Sequence, residues 1–239
     1  MSHISSHDRP QLETKGISRE KALDQIEIFK EGIPFVKLEK AAVVGGGISK
    51  FSEPEELALI KKFETDREKL SLLKFVPASG AASRMFKALF NFIDAYNPDT
   101  ESLKDYIERT NDRDIKIFSE RLTDFPFYKL VQTRIAGRAT SKDAEIHLFV
   151  KELLSEDGLN YGFYPKGLLP FHDYGDYTAT PFEEHLHEAA LYSKTDDTAK
   201  LHFTISEQHG DMFNAEFSNI KERVSSETGT SFSVIYSYQ

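Results

Sequence analysis

Leu72-Leu73-Lys74-Phe75-Val76-Pro77-Ala78-Ser79-Gly80-Ala81-Ala82-Ser83-Arg84-Met85-Phe86 is the stretch on which the fold turns. The apolar run at 72–76 reads as a short strand. Met85, Leu89 and Ile93 fall four apart, as do Phe86 and Phe90, which predicts a helix from Arg84 to Tyr96 with one apolar face. Between them lies a turn of small residues. Strand, small turn and helix make a ready anion site, because the first backbone N–H groups of a helix have no partners within it. Small side chains admit a phosphate, and the helix dipole favours its charge. Arg84 would add a bidentate donor. The same residues also fit an ordinary strand-to-helix turn with Ser83 as the cap. The turn lacks the closing Gly-Lys-Ser/Thr of a Walker loop and is neither G-x-G-x-x-G nor G-x-S-x-G.

The 239 residues are 39% hydrophobic and include 19 Phe, enough for a real core in one or two domains. A net charge of -9 argues against nucleic acid as a partner. With no cysteine, disulfides and thiolate metal sites are excluded. The start, Met1 to Pro10, is polar with no apolar core, so no signal peptide is read there. No run approaches the roughly 18 apolar residues of a membrane span. The expectation is a cytoplasmic protein.

Outward from the turn, residues 1–15 read as loose, and Ser18 to Glu31 as an amphipathic helix with Ala22, Ile26 and Phe29 on one side. Gly45-Gly46-Gly47 reads as a flexible turn in preference to a second anion loop. Ser52-Glu53-Pro54-Glu55 is a capping box opening a helix to about Lys69. Residues 97–160 carry helical patterns, including Asp114–Leu122 and Thr140–Leu154, and no convincing strand. They read as a helical insertion or lid, in which Arg134 and Arg138 either reach a phosphate or form a solvated face. Thr180-Pro181-Phe182-Glu183 opens a helix with Phe182, Leu186, Ala189 and Ala190 as its buried stripe. Strands follow at Leu201–Ile205 and Ser231–Tyr236, separated by a helix that Ser206 caps and that buries Phe213, Phe217 and Ile220. The order implies a parallel sheet with right-handed crossovers and a ligand at the carboxyl ends of its strands.

Tyr164-Pro165-Lys166-Gly167-Leu168-Leu169-Pro170-Phe171 stands before the capped helix. Alone, Lys166 reads as a surface lysine. Paired with the turn and followed by Pro181-Phe182-Glu183-Glu184-His185-Leu186, it reads as a phosphate contact. In this order the motifs resemble the signature of sugar-phosphate nucleotidyltransferases, the nucleotide-sugar pyrophosphorylases. Phe75 to Phe86, Leu159-Asn160-Tyr161-Gly162 and Pro165 to His172 are more similar still to a bacterial family catalogued as a domain of unknown function. That family looks like a divergent branch of the same superfamily.

The resemblance implies a three-layer Rossmann-like parallel sheet of the nucleotide-diphospho-sugar transferase type. It would comprise an N-terminal helical segment (1–70) and an α/β domain (71–239) with 97–160 inserted. The implied reaction joins a nucleoside triphosphate to a sugar 1-phosphate and releases pyrophosphate. The alternative is a non-catalytic binder of nucleotide or sugar phosphate. Backbone N–H groups of Ser79, Gly80, Ala81, Ala82 and Ser83, with the Arg84 side chain, would hold the triphosphate, and Lys166 would neutralise the reacting phosphate. Mg²⁺ is implied, with no ligand assigned. Ser79 and Ala82 replace glycines of the general pattern, and a Cβ at Ala82 is costly if φ is positive there. Members of the closer family run longer, so the chain is read as a fragment or a short form. Among other candidates, His185 and His187 lie two apart on a helix and point apart, so a solvated charged face with Glu183, Glu184 and Glu188 is preferred to a metal site. His202 and His209 read as structural, and His172-Asp173 reads equally as a substrate contact or a turn.

Overall fold

The structure, a computed structural model, describes residues 4–239; the first three residues of the polar start lie outside the described residues. The chain divides into two compact units, residues 1–58 and 59–239.

In the first unit α1 (Asp8–Thr14) occupies a stretch expected to be loose. Helix α2 (Arg19–Glu31) starts at Ser18, whose side chain accepts the Lys21 N–H at 3.2 Å. The short strands β1 (Val43–Val44) and β2 (Gly47–Ile48) flank the glycine turn. Helix α3 (Glu53–Asp66) begins with the glutamate half of the capping box, the Glu55 carboxylate accepting from the Ser52 N–H at 2.8 Å and from its hydroxyl at 2.6 Å. The apolar stripe of α2 buries nothing, and Phe29 is 89% exposed. Pattern sets which face of a helix is apolar, but burial needs a second apolar surface to meet it.

The second unit contains β3 (Lys74–Pro77), α4 (Lys87–Ala95), α5 (Leu103–Thr110), α6 (Arg113–Glu120), α7 (Tyr128–Ile135) and α8 (Lys142–Leu154). There follow β4 (His172–Asp173), β5 (Thr178–Ala179), α9 (Pro181–Tyr192), β6 (Lys194–Thr195), β7 (Thr198–Ile205), α10 (Gly210–Thr228) and β8 (Ser231–Tyr238). Side-chain caps from Ser102, Asp112, Ser141 and Thr180 open α5, α6, α8 and α9. This is a mixed α/β unit. Strand β7 is central: β3 pairs with it in parallel from Lys74↔Leu201 to Pro77↔Thr204, and β8 in parallel from Thr198↔Ser231 to Ile205↔Tyr238. Strand β6 runs antiparallel to the start of β7.

Side chains alternate across a sheet. Val76, Leu201, Phe203 and Ile205 share the face buried beneath α9 and α10, with Phe182, Leu186 and Phe213 packed among them. Phe75, His202 and Ile235 lie in register on the opposite face, where Phe75 is 56% and Ile235 51% exposed. A second core is made by α4 to α8 and is rich in rings, with Phe92 stacked on Tyr96 at 4.8 Å and Phe149 and Val131 fully enclosed. The two motifs form the seam between these cores. Tyr164 packs against both, Leu168 enters the sheet core, and its neighbour Leu169 enters the helical one.

Glu183, read from the sequence as part of a solvated face, is only 3% exposed. Helix α10 covers it, and the Arg223 guanidinium lies 2.8 Å from Oε1, with His187 Nε2 at 3.7 Å. The Arg223 contact is close but not aligned as a hydrogen bond, so charge attraction carries it. Arg223→Met leaves that carboxylate buried without its cation. The expected loss is about 2–3 kcal/mol in urea unfolding, below the usual cost of breaking a buried pair because Arg223 is itself 42% exposed. Glu183→Gln, which removes the buried charge, is expected to lose less.

Candidate functional site

The turn after β3 is tied to the carboxyl ends of all three parallel strands. Ala78 N–H extends the ladder to the Thr204 carbonyl at 2.7 Å. The Ser79 hydroxyl donates to Gln239 Oε1 at 2.6 Å, and its carbonyl accepts from the Ser206 hydroxyl at 3.3 Å. Ser206, expected to cap the next helix, is spent on this tie. Helix α10 begins only after the 3₁₀ turn Glu207–His209 and has no side-chain cap. The Pro-Lys segment then pairs antiparallel with the turn, Ala82 N–H donating to the Tyr164 carbonyl at 3.1 Å and Lys166 N–H to the Gly80 carbonyl at 3.0 Å. Arg84 and Lys166 are 82 positions apart (166 − 84), and the segments that carry them are direct backbone neighbours.

Helix α4 starts at Lys87, three residues after Arg84 (87 − 84). Ala82 is fully enclosed in the helical core and held by Tyr164, so the chain turns there first. The Met85 and Phe86 N–H groups both donate to the Ala82 carbonyl, at 2.8 and 3.3 Å. Ser83 is therefore not the cap, and the residue before α4, Phe86, contributes no side-chain bond. The N–H of Ala82 is engaged, whereas those of Ser79, Gly80, Ala81 and Ser83 meet no protein acceptor among the described residues. Neither Ser79 nor Ala82 has positive φ, so their Cβ atoms impose no backbone strain. Arg84 is exposed and forms no ion pair among the described residues.

A cavity of about 220 Å³ opens at the seam, between Ala78 and Gly80 of the turn, Lys166 and Gly167, and the start of α9 at Pro181. Phe182, Phe203 and Phe213 contribute its apolar wall, and His185 its second polar side chain. Gly167 fits closely: a Cβ there would stand 3.3 Å from two ring atoms of Phe213, which would have to give by a few tenths of an ångström. Lys166 is exposed and has no carboxylate partner among the described residues; Arg84 does not line this cavity. Beyond the same segments, Met85, Phe86 and Phe171 help line a larger apolar cavity of about 560 Å³ with Phe118, Phe125 and Phe127.

Sequence reasoning weighed His185 as a metal candidate with His187 and preferred a solvated charged face, without placing it at the cavity. Its Nδ1 lies 3.0 Å from Glu188 Oε2, which also accepts from Lys74 Nζ of β3 and from the Tyr192 hydroxyl at 3.1 Å. Lys74 chiefly holds the Glu188 carboxyl down to about 2, against the opposing effect of burial. A depressed carboxyl stabilises the fold above the usual carboxylate range and loses that contribution as pH falls through about 2. His187 turns elsewhere, to Glu183 and Glu227 at 3.7 and 3.8 Å, so the two histidines diverge as their spacing requires. The legible signal was a glutamate three residues after His185; the strand lysine beneath it was not legible.

Other expectations resolve simply. His172-Asp173 forms β4 against β5, and Asp173 accepts the Gly175 N–H at 2.8 Å, a turn role. Arg134 and Arg138 pair with Glu152 at 2.6 and 3.3 Å. Among the described residues no group of three or more His, Asp or Glu is placed to hold a metal, and no carboxylate lines the cavity. The Mg²⁺ implied by the resemblance therefore has no protein ligand set here, and no step below runs through it. No helix among the described residues is long and apolar enough to cross a membrane.

A mixed α/β unit with a small cationic cavity at the carboxyl ends of parallel strands is what this fold and site define. The model of the family described as Domain of unknown function (DUF4301) matches residues 5–239, and the chain belongs to that family. No curated protein and no solved structure matches it. None of these comparisons supports the expected likeness to nucleotidyltransferases.

Proposed function

We propose that the seam cavity takes the phosphate of a nucleotide or sugar phosphate, and that the reaction it serves is nucleotidyl transfer. The observation that carries this is the bond from the Lys166 N–H to the Gly80 carbonyl, with both residues on one cavity. On this reading the Lys166 side chain and the amides of Ser79, Gly80, Ala81 and Ser83, which meet no protein acceptor among the described residues, share the phosphate oxygens. Arg84, exposed beside them, serves a triphosphate that extends beyond the cavity. A sugar 1-phosphate oxygen attacks the α-phosphorus of the nucleoside triphosphate. The bond from that phosphorus to the oxygen bridging to the β-phosphate breaks, and its electron pair leaves with pyrophosphate. The protein's work is positioning and charge neutralisation. A Rossmann-like parallel sheet belongs to this reading, supported by the parallel β3, β7 and β8 and the helix α10 that joins the last two; the third layer has no such support, since α9 and α10 cover the same face and Phe75 and Ile235 on the other are exposed.

A second reading, a binder without turnover, is favoured by two observations. The Ala82 amide is already spent on the Tyr164 carbonyl, and no carboxylate lines the cavity to hold a catalytic metal. Pyrophosphate release and thermal shift are measured on the wild-type chain with nucleoside triphosphates, Mg²⁺ as their counter-ion, and sugar 1-phosphates. Release with a thermal shift supports transfer. A shift without release supports the binder. If no phosphate ester shifts the melting temperature, both readings fall.

A further inference from the structure

We propose that the larger, ring-lined cavity is a separate binding site for a free small amine with an apolar body, whose ammonium group pairs with Asp114. The cavity holds about 560 Å³, the order of size that takes a small molecule rather than a protein segment. Its wall is held in place by the rings themselves. Phe86, Phe171, Phe127, Phe125 and Phe118 follow one another with centroids 6.3, 5.9, 5.2 and 5.2 Å apart. Phe86, Phe118 and Phe127 are also anchored in the helical core, so the space does not close by a swing of one ring. Met85 and Ile117 complete the wall and are 48% and 43% exposed, which leaves apolar surface open to a ligand.

Asp114 is the only polar side chain in that lining. It is not the cap of α6, because Asp112 accepts the Ile115 N–H at 3.0 Å. Its place in the first turn suits the helix dipole, which accounts for an acid there but not for its seat at the cavity. It is exposed and forms no hydrogen bond or ion pair among the described residues. No lysine, arginine or histidine lines the cavity to neutralise it. An aromatic wall with one unpaired carboxylate selects an apolar body that carries one positive charge. Burial of the body supplies the affinity, and the carboxylate supplies the choice of charge. The ring quadrupoles favour a cation over an anion in the same sense. The seam cavity presents Lys166 instead, so the two cavities take ligands of opposite charge, and this site stands independently of the phosphate reading.

Three probes with one ring system and different charges test this: naphthylethylamine, naphthylethanol and naphthylacetate. Each is titrated into the full chain at about pH 7, where the amine is a cation and the acid an anion. Naphthyl fluorescence reads binding against a low background, because the chain has no tryptophan. Wild type is expected to bind the amine about fivefold more tightly than the alcohol, the upper value for an exposed ion pair, and the acid most weakly. Asp114→Asn is expected to bring the amine to the affinity of the alcohol, and Asp114→Lys to place the acid first. Ile117→Gln, a polar change at the exposed rim, is expected to weaken all three with the melting temperature retained. Equal binding of amine and alcohol by wild type, or no binding of any probe, overturns the inference. So does an amine preference that survives Asp114→Asn, or binding unchanged in Ile117→Gln. None of these results bears on Lys166 or on the phosphate reading.

Discussion

Phe203→Ala is expected to cost about 3–5 kcal/mol of folding stability, the usual range for emptying a closed aromatic site. Phe203 is fully enclosed at the centre of the middle strand, its ring 4.7 Å from that of Phe182 and 6.3 Å from that of Tyr236. Strands on both sides and α9 above prevent the site from collapsing, so the cavity term adds to the lost transfer energy. For a protein with a typical margin of about 5–15 kcal/mol, that is a large fraction. The ring also forms part of the cavity wall beside His185, so anion binding should weaken as well. Phe75→Ala is the control, one strand away on the opposite face and 56% exposed, with an expected loss under about 1 kcal/mol. Urea unfolding followed by circular dichroism reads both. Equal losses in the two variants would show that the sheet is not covered on the face described.

If the proposed transfer is what this site performs, Lys166→Ala is expected to leave stability unchanged and to reduce turnover about a hundredfold or more, as removal of a charged transition-state donor does. The side chain is exposed, and the one bond that places it uses the backbone N–H, which alanine retains. Nucleotide affinity should fall by about tenfold or more, the value of one hydrogen bond to a charged group. Lys166→Arg should restore binding only in part, because a planar fork does not occupy the position of a point charge. Pyrophosphate release and calorimetry give the two readouts, and an intact melting temperature confirms the fold. Turnover that survives Lys166→Ala would remove this lysine from the chemistry.

Local signals carried through wherever the interaction that forms an element lies within a few residues. Thr180 and Pro181 start α9 because the cap reaches the N–H three positions on, and the Phe182, Leu186, Ala189 and Ala190 stripe is buried as spaced. The Leu201–Ile205 and Ser231–Tyr236 alternations became the long strands β7 and β8. Ser83 and Ser206 failed as caps for a common reason. Partners distant in sequence fix the backbone around one and take the hydroxyl of the other, which local spacing cannot anticipate.

By itself the sequence determined the parallel α/β rhythm and the two motifs, since apolar period, caps and turn residues act over short range. Only the tertiary structure decided that the turn and the Pro-Lys segment are bonded neighbours, that Ala82 is core rather than ligand, and that His185 shares the cavity. Those facts arise where two separate cores meet. A seam is set by how apolar faces pack, and packing brings together residues whose spacing along the chain carries no trace of it.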